Sequence, residues 1–332
     1  MKKLINNVNN VVDEMLNGMA AAYPQYMERV PGTDVVTRTG AKKTDKVVLI
    51  SGGGSGHEPA HGGYVGKGML DAAVAGAVFT SPTPDQVYEA IQATECGKGA
   101  LLIIKNYTGD VMNFEMAADM AADEDILVDK VIVADDVAVE NSTWTTGRRG
   151  IAGTVFVHKI AGACAETGAD LAEVKRVAEK VIANVRSMGM AVSPCTVPAV
   201  GKPGFDLADD EVEIGIGIHG EPGTHREKIA SVNSTVDHLV GRILDEGIYA
   251  EGDQVAVMVN GMGATPLSEL FIANLRVSEI LAEKKISVAK TLVGNYMTSL
   301  DMAGFSVTLL KLDDELKGFL NAPADTPAYK EV

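Results

Sequence analysis

Apolar residues in this chain fall in short dense runs separated by amphipathic stretches, the pattern of buried strands alternating with helices. The runs at 46–51 (KVVLIS), 72–79, 100–105 (ALLIIK) and 130–134 (KVIVA) predict four strands. Residues 5–22 read as an amphipathic helix with Val8, Val11, Met15 and Met19 along one face, ended by Pro24. Further helices are expected over 85–94 and from Asp110 onward. Continuous apolar strands joined by helices imply a parallel, doubly wound sheet. Ligands of such sheets gather at the carboxyl ends of the strands. Three polar segments emerge there: Gly52 to Gly56, Asn106 to Asp110, and the pair Asp135 and Asp136.

The pattern changes in the second half. Residues 151–187 predict two helices split near 167–170, after which 211–219 (EVEIGIGIH) alternates with a period of two. Strands are expected over 254–260, 287–295 and 305–312, with helices over 232–246 and 266–284. The predicted fold is therefore α/β in two domains. Residues 1–188 would form a doubly wound, mainly parallel sheet that binds substrate. Residues 189–332 would form a mixed or antiparallel sheet with helices on one face. The Pro-containing tail after Ala322 reads as loosely packed. No internal repeat is evident, although His57-Glu58-Pro59 and His219-Gly220-Glu221-Pro222 echo one another.

Composition narrows the class of partner. A formal net charge of −16 and a pI near 4.8 argue against nucleic acid and anionic membranes, which require a basic face. Cys96, Cys164 and Cys195 are scattered, with no CxxC pair, so neither a disulfide framework nor a zinc site is expected, and no metal is assigned. No apolar run reaches transmembrane length, which, with the reduced thiols, gives a soluble, cytoplasmic chain as the expectation.

The glycine run from Gly52 to Gly56 ends in His57-Glu58-Pro59, where a Walker loop would need Gly-Lys-Ser/Thr. A dinucleotide fingerprint starting at Gly52 would need glycine at His57. Two readings stand, a tight turn and a polar cradle for a small molecule, and His57 at the exit favours the cradle. In Lys105-Asn106-Tyr107-Thr108-Gly109-Asp110, Asp110 is either a helix cap or a general base facing a ligand hydroxyl. His219 closes the alternating run on the side opposite Ile214, Ile216 and Ile218, which makes it either a site residue or an exposed strand end. Residues 146–149 (TGRR) read as a docking surface or as a solvated loop.

These segments, with VADDVAVENSTWTTGRRGIAGT, CTVPAVGKP, NGMGATPLSEL and SLDMAGFSVTLLKLDDE, resemble the dihydroxyacetone kinase K family from about residue 5 to the end. The resemblance implies that His219 forms a covalent hemiaminal with the ketone carbon of dihydroxyacetone. It implies that His57 contacts substrate oxygens and assists proton transfer, and that Asp110 takes the proton of the hydroxyl to be phosphorylated. Gly54, Ser55, Gly56 and Lys105 would complete the substrate's hydrogen-bonding shell. Such capture selects for a carbonyl, because a neutral imidazole adds to a ketone and not to an alcohol carbon. The chain ends at Val332, directly after this region, so the phosphotransferase-system form is expected. There ADP and Mg²⁺ sit on a separate L subunit, recharged by an M subunit, and the K subunit is a homodimer. A non-catalytic co-activator that binds dihydroxyacetone and regulates transcription is the alternative.

Overall fold

In β5 (Ala100–Lys105) every residue is buried, as the unbroken apolar run ALLIIK demands of a strand covered on both faces. The computed structural model describes residues 2–140 and 145–332; Asn141 to Trp144 of the VADDVAVENSTW segment lie outside the described residues. The first sheet contains β1 (Met27–Arg29), β2 (Val35–Arg38), β3 (Val48–Ser55), β4 (Ala72–Val78), β5 and β6 (Val128–Val133) in the order β1-β2-β4-β3-β5-β6. Strands β4, β3, β5 and β6 run parallel, and β1 and β2 add an antiparallel edge.

Helices α2 (Pro84–Thr94) and α3 (Thr108–Ala122) pack Val87, Ile91 and Phe114 against Ile50, Leu102 and Ile104. Leu49, Leu101 and Ile103 point the other way, toward α1 (Val11–Ala22), α4 (Thr154–Glu166) and α5 (Leu171–Asn184). The sheet is doubly wound, as its strand pattern predicts.

The second sheet contains β7 (Val185–Ser193), β8 (Glu211–Ile214), β9 (His225–Lys228), β10 (Gln254–Gly261), β11 (Ser287–Gly294) and β12 (Ala303–Leu312) in the order β11-β10-β12-β7-β8-β9. Only the β10–β11 pair is parallel. Helices α6 (Val232–Leu244) and α7 (Leu267–Glu283) cover one face through Val236, Leu239, Ala273 and Val277. The opposite face, with Ala256, Met258, Leu310 and Leu312, joins the cluster of α4, α5 and α8 (Asp314–Leu320). One apolar core therefore passes from the first sheet through α4 and α5 to the second, and the expected boundary at 188/189 falls inside β7.

Three expectations are corrected. The glycine run does not lie beyond the strand as a turn: β3 continues through Ser55, and only a short 3₁₀ turn at Gly62–Tyr64 follows. Residues Gly52 to Gly54 pair with β4, while pairing with β5 stops at Ser51 and Ile103. Strand β8 stops at Ile214, where Gly215 turns with φ 74°, so the alternation does not orient His219. The tail is packed: Thr326 and Tyr329 are buried, and β13 (Ala324–Asp325) pairs with β14 (Lys330–Glu331). Pro323 precedes this hairpin and Pro327 lies in its turn, so the end is compact rather than frayed.

Helix α4 approaches the β3–β4 connection so closely that a Cβ at Gly162 would lie 2.5 Å from the Gly68 carbonyl oxygen. Backbone cannot yield there as a side-chain tip would. Gly162→Ala is expected to destabilise the fold by about 1–3 kcal/mol, read as a lower urea midpoint.

Candidate functional site

Beyond Ser51 and Ile103, β3 and β5 part, and the crevice opens at the point where the chain winds to opposite sides of β3. A cleft of about 600 Å³ lies there, walled by Gly54, Phe79, Tyr107, Asp110, His219 and Glu221 among others. Gly54 has no room for a side chain: a Cβ would fall 2.5 Å from the Thr80 nitrogen. Its backbone therefore forms the wall itself.

Asp110 lies in the first turn of α3 and is not its cap; Tyr107 holds that position. The carboxylate is buried and stands 3.6 Å from the ammonium of Lys105. Lys105 closes β5, is wholly buried, and donates to the Gly52 carbonyl at 3.0 Å. Burial pulls its pKa down, partly offset by Asp110.

His57 is buried, its ring stacked on Phe79 with centroids 5.3 Å apart. Its Nδ1 lies 2.7 Å from the Thr298 carbonyl oxygen, which can only accept, so the proton is on Nδ1 and Nε2 carries a lone pair. Nε2 has no protein partner among the described residues. Burial, with the neighbouring His219 and Lys105, pushes the His57 pKa well below the ordinary value and keeps the ring neutral.

His219 enters from the second sheet, on the turn between β8 and β9. Its ring meets His57, Tyr107 and Phe79 edge-on, with centroids 4.7, 4.6 and 5.3 Å away. Nδ1 lies 3.0 Å from Glu221 Oε1, while the His219 backbone nitrogen donates to Oε2 at 2.8 Å. In the neutral ring, a carboxylate at Nδ1 holds the proton there and leaves the lone pair on Nε2. Burial pushes the Glu221 carboxyl up, but His219 and Arg149 outweigh it and hold its pKa down at about 2. Glu221 therefore stays charged.

Arg149 is itself buried, bonded to Asp136 Oδ2 at 2.8 Å and to the Gly215 carbonyl at 2.7 Å. Asp135 accepts from the Ile151 and Gly153 amides ahead of α4. The pair at the end of β6 is thus structural. Arg148 makes a two-pronged bond to Glu246, so both arginines of TGRR are engaged within the chain rather than offered as a free docking surface.

Of the residues singled out from sequence, Gly54, Asp110 and His219 line the cleft, while His57 and Lys105 are wholly buried behind it, against His219 and Asp110. Ser55 and Gly56 stand back from the lining: the Ser55 hydroxyl donates to Gly76 O, and the Gly56 amide donates to Glu58. Glu221, Arg149, Tyr107 and Phe79 were not foreseen. For Glu221 a signal existed in the echo of His-Glu-Pro by His-Gly-Glu-Pro; the others come from elements brought together only by folding.

Fold and site define a small-molecule-binding α/β protein in which a carboxylate-oriented imidazole faces a buried acid–lysine pair. The chain belongs to the Dak1 domain family, whose profile matches residues 17–328. It is 58% identical over 330 residues to a Listeria innocua protein named as the dihydroxyacetone-binding subunit of PTS-dependent dihydroxyacetone kinase 1, covering 99% of this chain and 100% of that one. Among solved structures it resembles a dihydroxyacetone kinase operon co-activator, with TM-score 0.90 and 38% identity over 96% of this chain and 98% of that one. It also resembles the native dihydroxyacetone kinase of C. freundii, with TM-score 0.88 and 36% identity over 99% of this chain and 60% of that one.

His57, His61 and His158 are all buried with pKa values pushed down, by burial first, that of His158 to about 3. The unfolded chain takes up protons near 6.5 while the folded one refuses them, so the stability these groups contribute is complete above 6.5 and is lost as pH falls. Each contributes a slope of up to about 1.4 kcal/mol per pH unit. Urea midpoints are expected to fall between pH 7 and pH 5, the three histidines outweighing Asp136, whose pKa burial pushes up to about 6. A flat midpoint across that window would contradict the buried neutral imidazoles.

Proposed function

We propose that this chain is the dihydroxyacetone-binding subunit of a phosphoenolpyruvate-dependent dihydroxyacetone kinase and that it captures the ketone covalently on His219. The observation that carries the reading is the 3.0 Å contact from Glu221 to His219 Nδ1, which leaves a nucleophilic lone pair on Nε2 beside the cleft. That lone pair forms the N–C bond, and the carbonyl π pair moves to oxygen. The alkoxide takes a proton from a donor beside the cleft, which solvent replaces, and the ring's gained positive charge is held by the Glu221 carboxylate at Nδ1. Lys105 and the unpartnered Tyr107 hydroxyl are the donors at hand. The product is a hemiaminal, its ring paired with Glu221, whose terminal hydroxyl is held in place, the positioning that phosphoryl transfer chiefly requires.

His57 Nε2 accepts a hydrogen bond from substrate, and Gly54 packs against it. Ser55 and Gly56 act through the backbone conformation they set. Asp110 accepts the proton of the attacking hydroxyl as the oxygen–phosphorus bond forms and the donor's phosphoanhydride bond breaks. The donor is ADP-bound phosphoryl on a separate L subunit, with Mg²⁺, recharged by an M subunit. The cleft is far larger than a three-carbon ligand needs and leaves room for the donor to approach. The chain acts in the cytoplasm as a homodimer. The outer face of α7, where Leu267, Phe271, Ile272 and Leu275 are exposed, is the apolar surface such an interface would cover. Among the described residues no helix is long and apolar enough to cross a membrane.

Similarity to the co-activator structure favours a second reading, capture without transfer. Reconstitution with functional L and M subunits separates the two, since only the first yields dihydroxyacetone phosphate. A crystal soaked in dihydroxyacetone is expected to show density continuous from His219 Nε2 to the ligand's central carbon. His219→Ala should abolish it. Free ligand beside an intact imidazole would end the covalent reading. Glu221→Gln, which removes the charge behind Nδ1, is expected to lower turnover on the order of 10²–10⁴-fold while leaving the fold intact by circular dichroism.

A further inference from the structure

Behind the cleft, two buried histidines with no part in the chemistry above line up on Lys105. His61 Nε2 is 3.1 Å from Lys105 Nζ, and His61 Nδ1 is 2.9 Å from His158 Nε2. All three side chains are buried, His158 within a helix whose residues Thr154 to Ala165 are buried without exception. An ammonium can only donate, so His61 Nε2 accepts and its proton sits on Nδ1. That proton points at His158 Nε2, which must also accept, so the His158 proton sits on Nδ1. Ser51 Oγ, 3.4 Å from His61 Nδ1, is already donating to the Ile103 carbonyl at 2.7 Å and adds at most a weak second acceptor. The direction of every hydrogen bond in the line follows from one lysine.

The arrangement is costly. His158 Nδ1 has no protein partner among the described residues, and an unsatisfied buried donor costs about 1–3 kcal/mol. A leucine at this helix position would avoid that cost and pack as well. What the two imidazoles supply is an acceptor for a lysine cut off from water. Lys105 Nζ has three protons: one goes to the Gly52 carbonyl, one to His61, and the third faces Asp110, whose residue lines the cleft. With two protons held from behind, the third can point only forward.

We propose that His61 and His158 are positioning residues that hold Lys105 as an oriented ammonium donor, His61 by accepting its hydrogen bond and His158 by fixing the tautomer that lets His61 accept. The inference rests on the reading that Lys105 donates to the captured ligand. The groups that face Lys105 are the Gly52 carbonyl from β3, Asp110 from α3, and His57 and His61 from the β3–β4 connection, with His158 of α4 reaching it through His61. Asp110 alone supplies opposite charge. His61 supplies a dipole whose sign depends on His158, and its loss removes one of the two close acceptors.

The test compares His61→Leu with His61→Gln, whose side-chain oxygen can replace the acceptor, and His158→Leu with His158→Gln, after circular dichroism and urea unfolding show all four folded. The first readout is independent of ligand: the pH titration of the Lys105 Cε resonance by ¹³C NMR, assigned with Lys105→Met. The leucine variants should shift its midpoint to lower pH by at least about one unit, and the glutamine variants should restore it most of the way. The second readout is capture of carbonyl-labelled [2-¹³C]dihydroxyacetone, whose carbonyl signal disappears into that of a tetrahedral carbon. His61→Leu should weaken capture at least tenfold and move its alkaline limb to lower pH, with His61→Gln within about threefold of wild type. A folded His61→Leu with unchanged Lys105 titration overturns the proposal, as does a glutamine variant as impaired as the leucine one. Failure of the wild-type protein to form the tetrahedral carbon would instead overturn the capture reading, leaving the lysine titration to decide the positioning role by itself.

Discussion

A single buried guanidinium joins the two halves of the site. Arg149 is paired with Asp136 at the end of the first sheet and donates to the Gly215 carbonyl where the second sheet's β8 turns toward His219. Its charge also helps keep Glu221 ionised, and Glu221 in turn sets the tautomer of His219. Removing one partner from a buried pair of this kind costs roughly 3–5 kcal/mol, because the other is left charged and unsolvated. The site thus inherits its geometry from an interaction that also ties one sheet to the other. The shared core through α4 and α5 fixes the distance that Arg149 spans.

The chemistry depends on keeping imidazoles neutral beside a cation. His57, His61 and His158 are held neutral by burial, each with its proton assigned by a neighbour that can only donate or only accept. His219 differs: a carboxylate backs it, and it is the one exposed to the cleft. On the capture proposed above, an imidazole with an anion behind it would suit an uncharged carbonyl ligand, which no ionic contact could select.

Much of the fold was legible because its strands are continuous apolar runs and its helices are amphipathic. The helices expected at 85–94 and from Asp110 correspond to α2 and α3, and the run 100–105 is β5. The errors came where glycine removes the pattern. From Gly52 to Gly54 the chain stays in a strand that has no side chains to announce it, and past Ile214 it leaves a strand while the alternation runs on. The tail misled for a related reason: Pro323 and Pro327 suggested looseness, whereas Tyr329 and Thr326 anchor it. Edge elements such as β1, β2 and β9 are too short for any period to show.

The amino-acid order by itself determined the alternation of strand and helix, the parallel first sheet, and the polar segments that must surface at its carboxyl edge. Those features are set by local spacing, which the chain carries wherever it goes. Only the tertiary structure decided that Glu221 stands behind His219, that Arg149 serves both, and that His158, far along the chain from His61, completes a line to Lys105. Proton positions are properties of neighbours, and neighbours distant in sequence exist only once the two sheets have closed around α4 and α5.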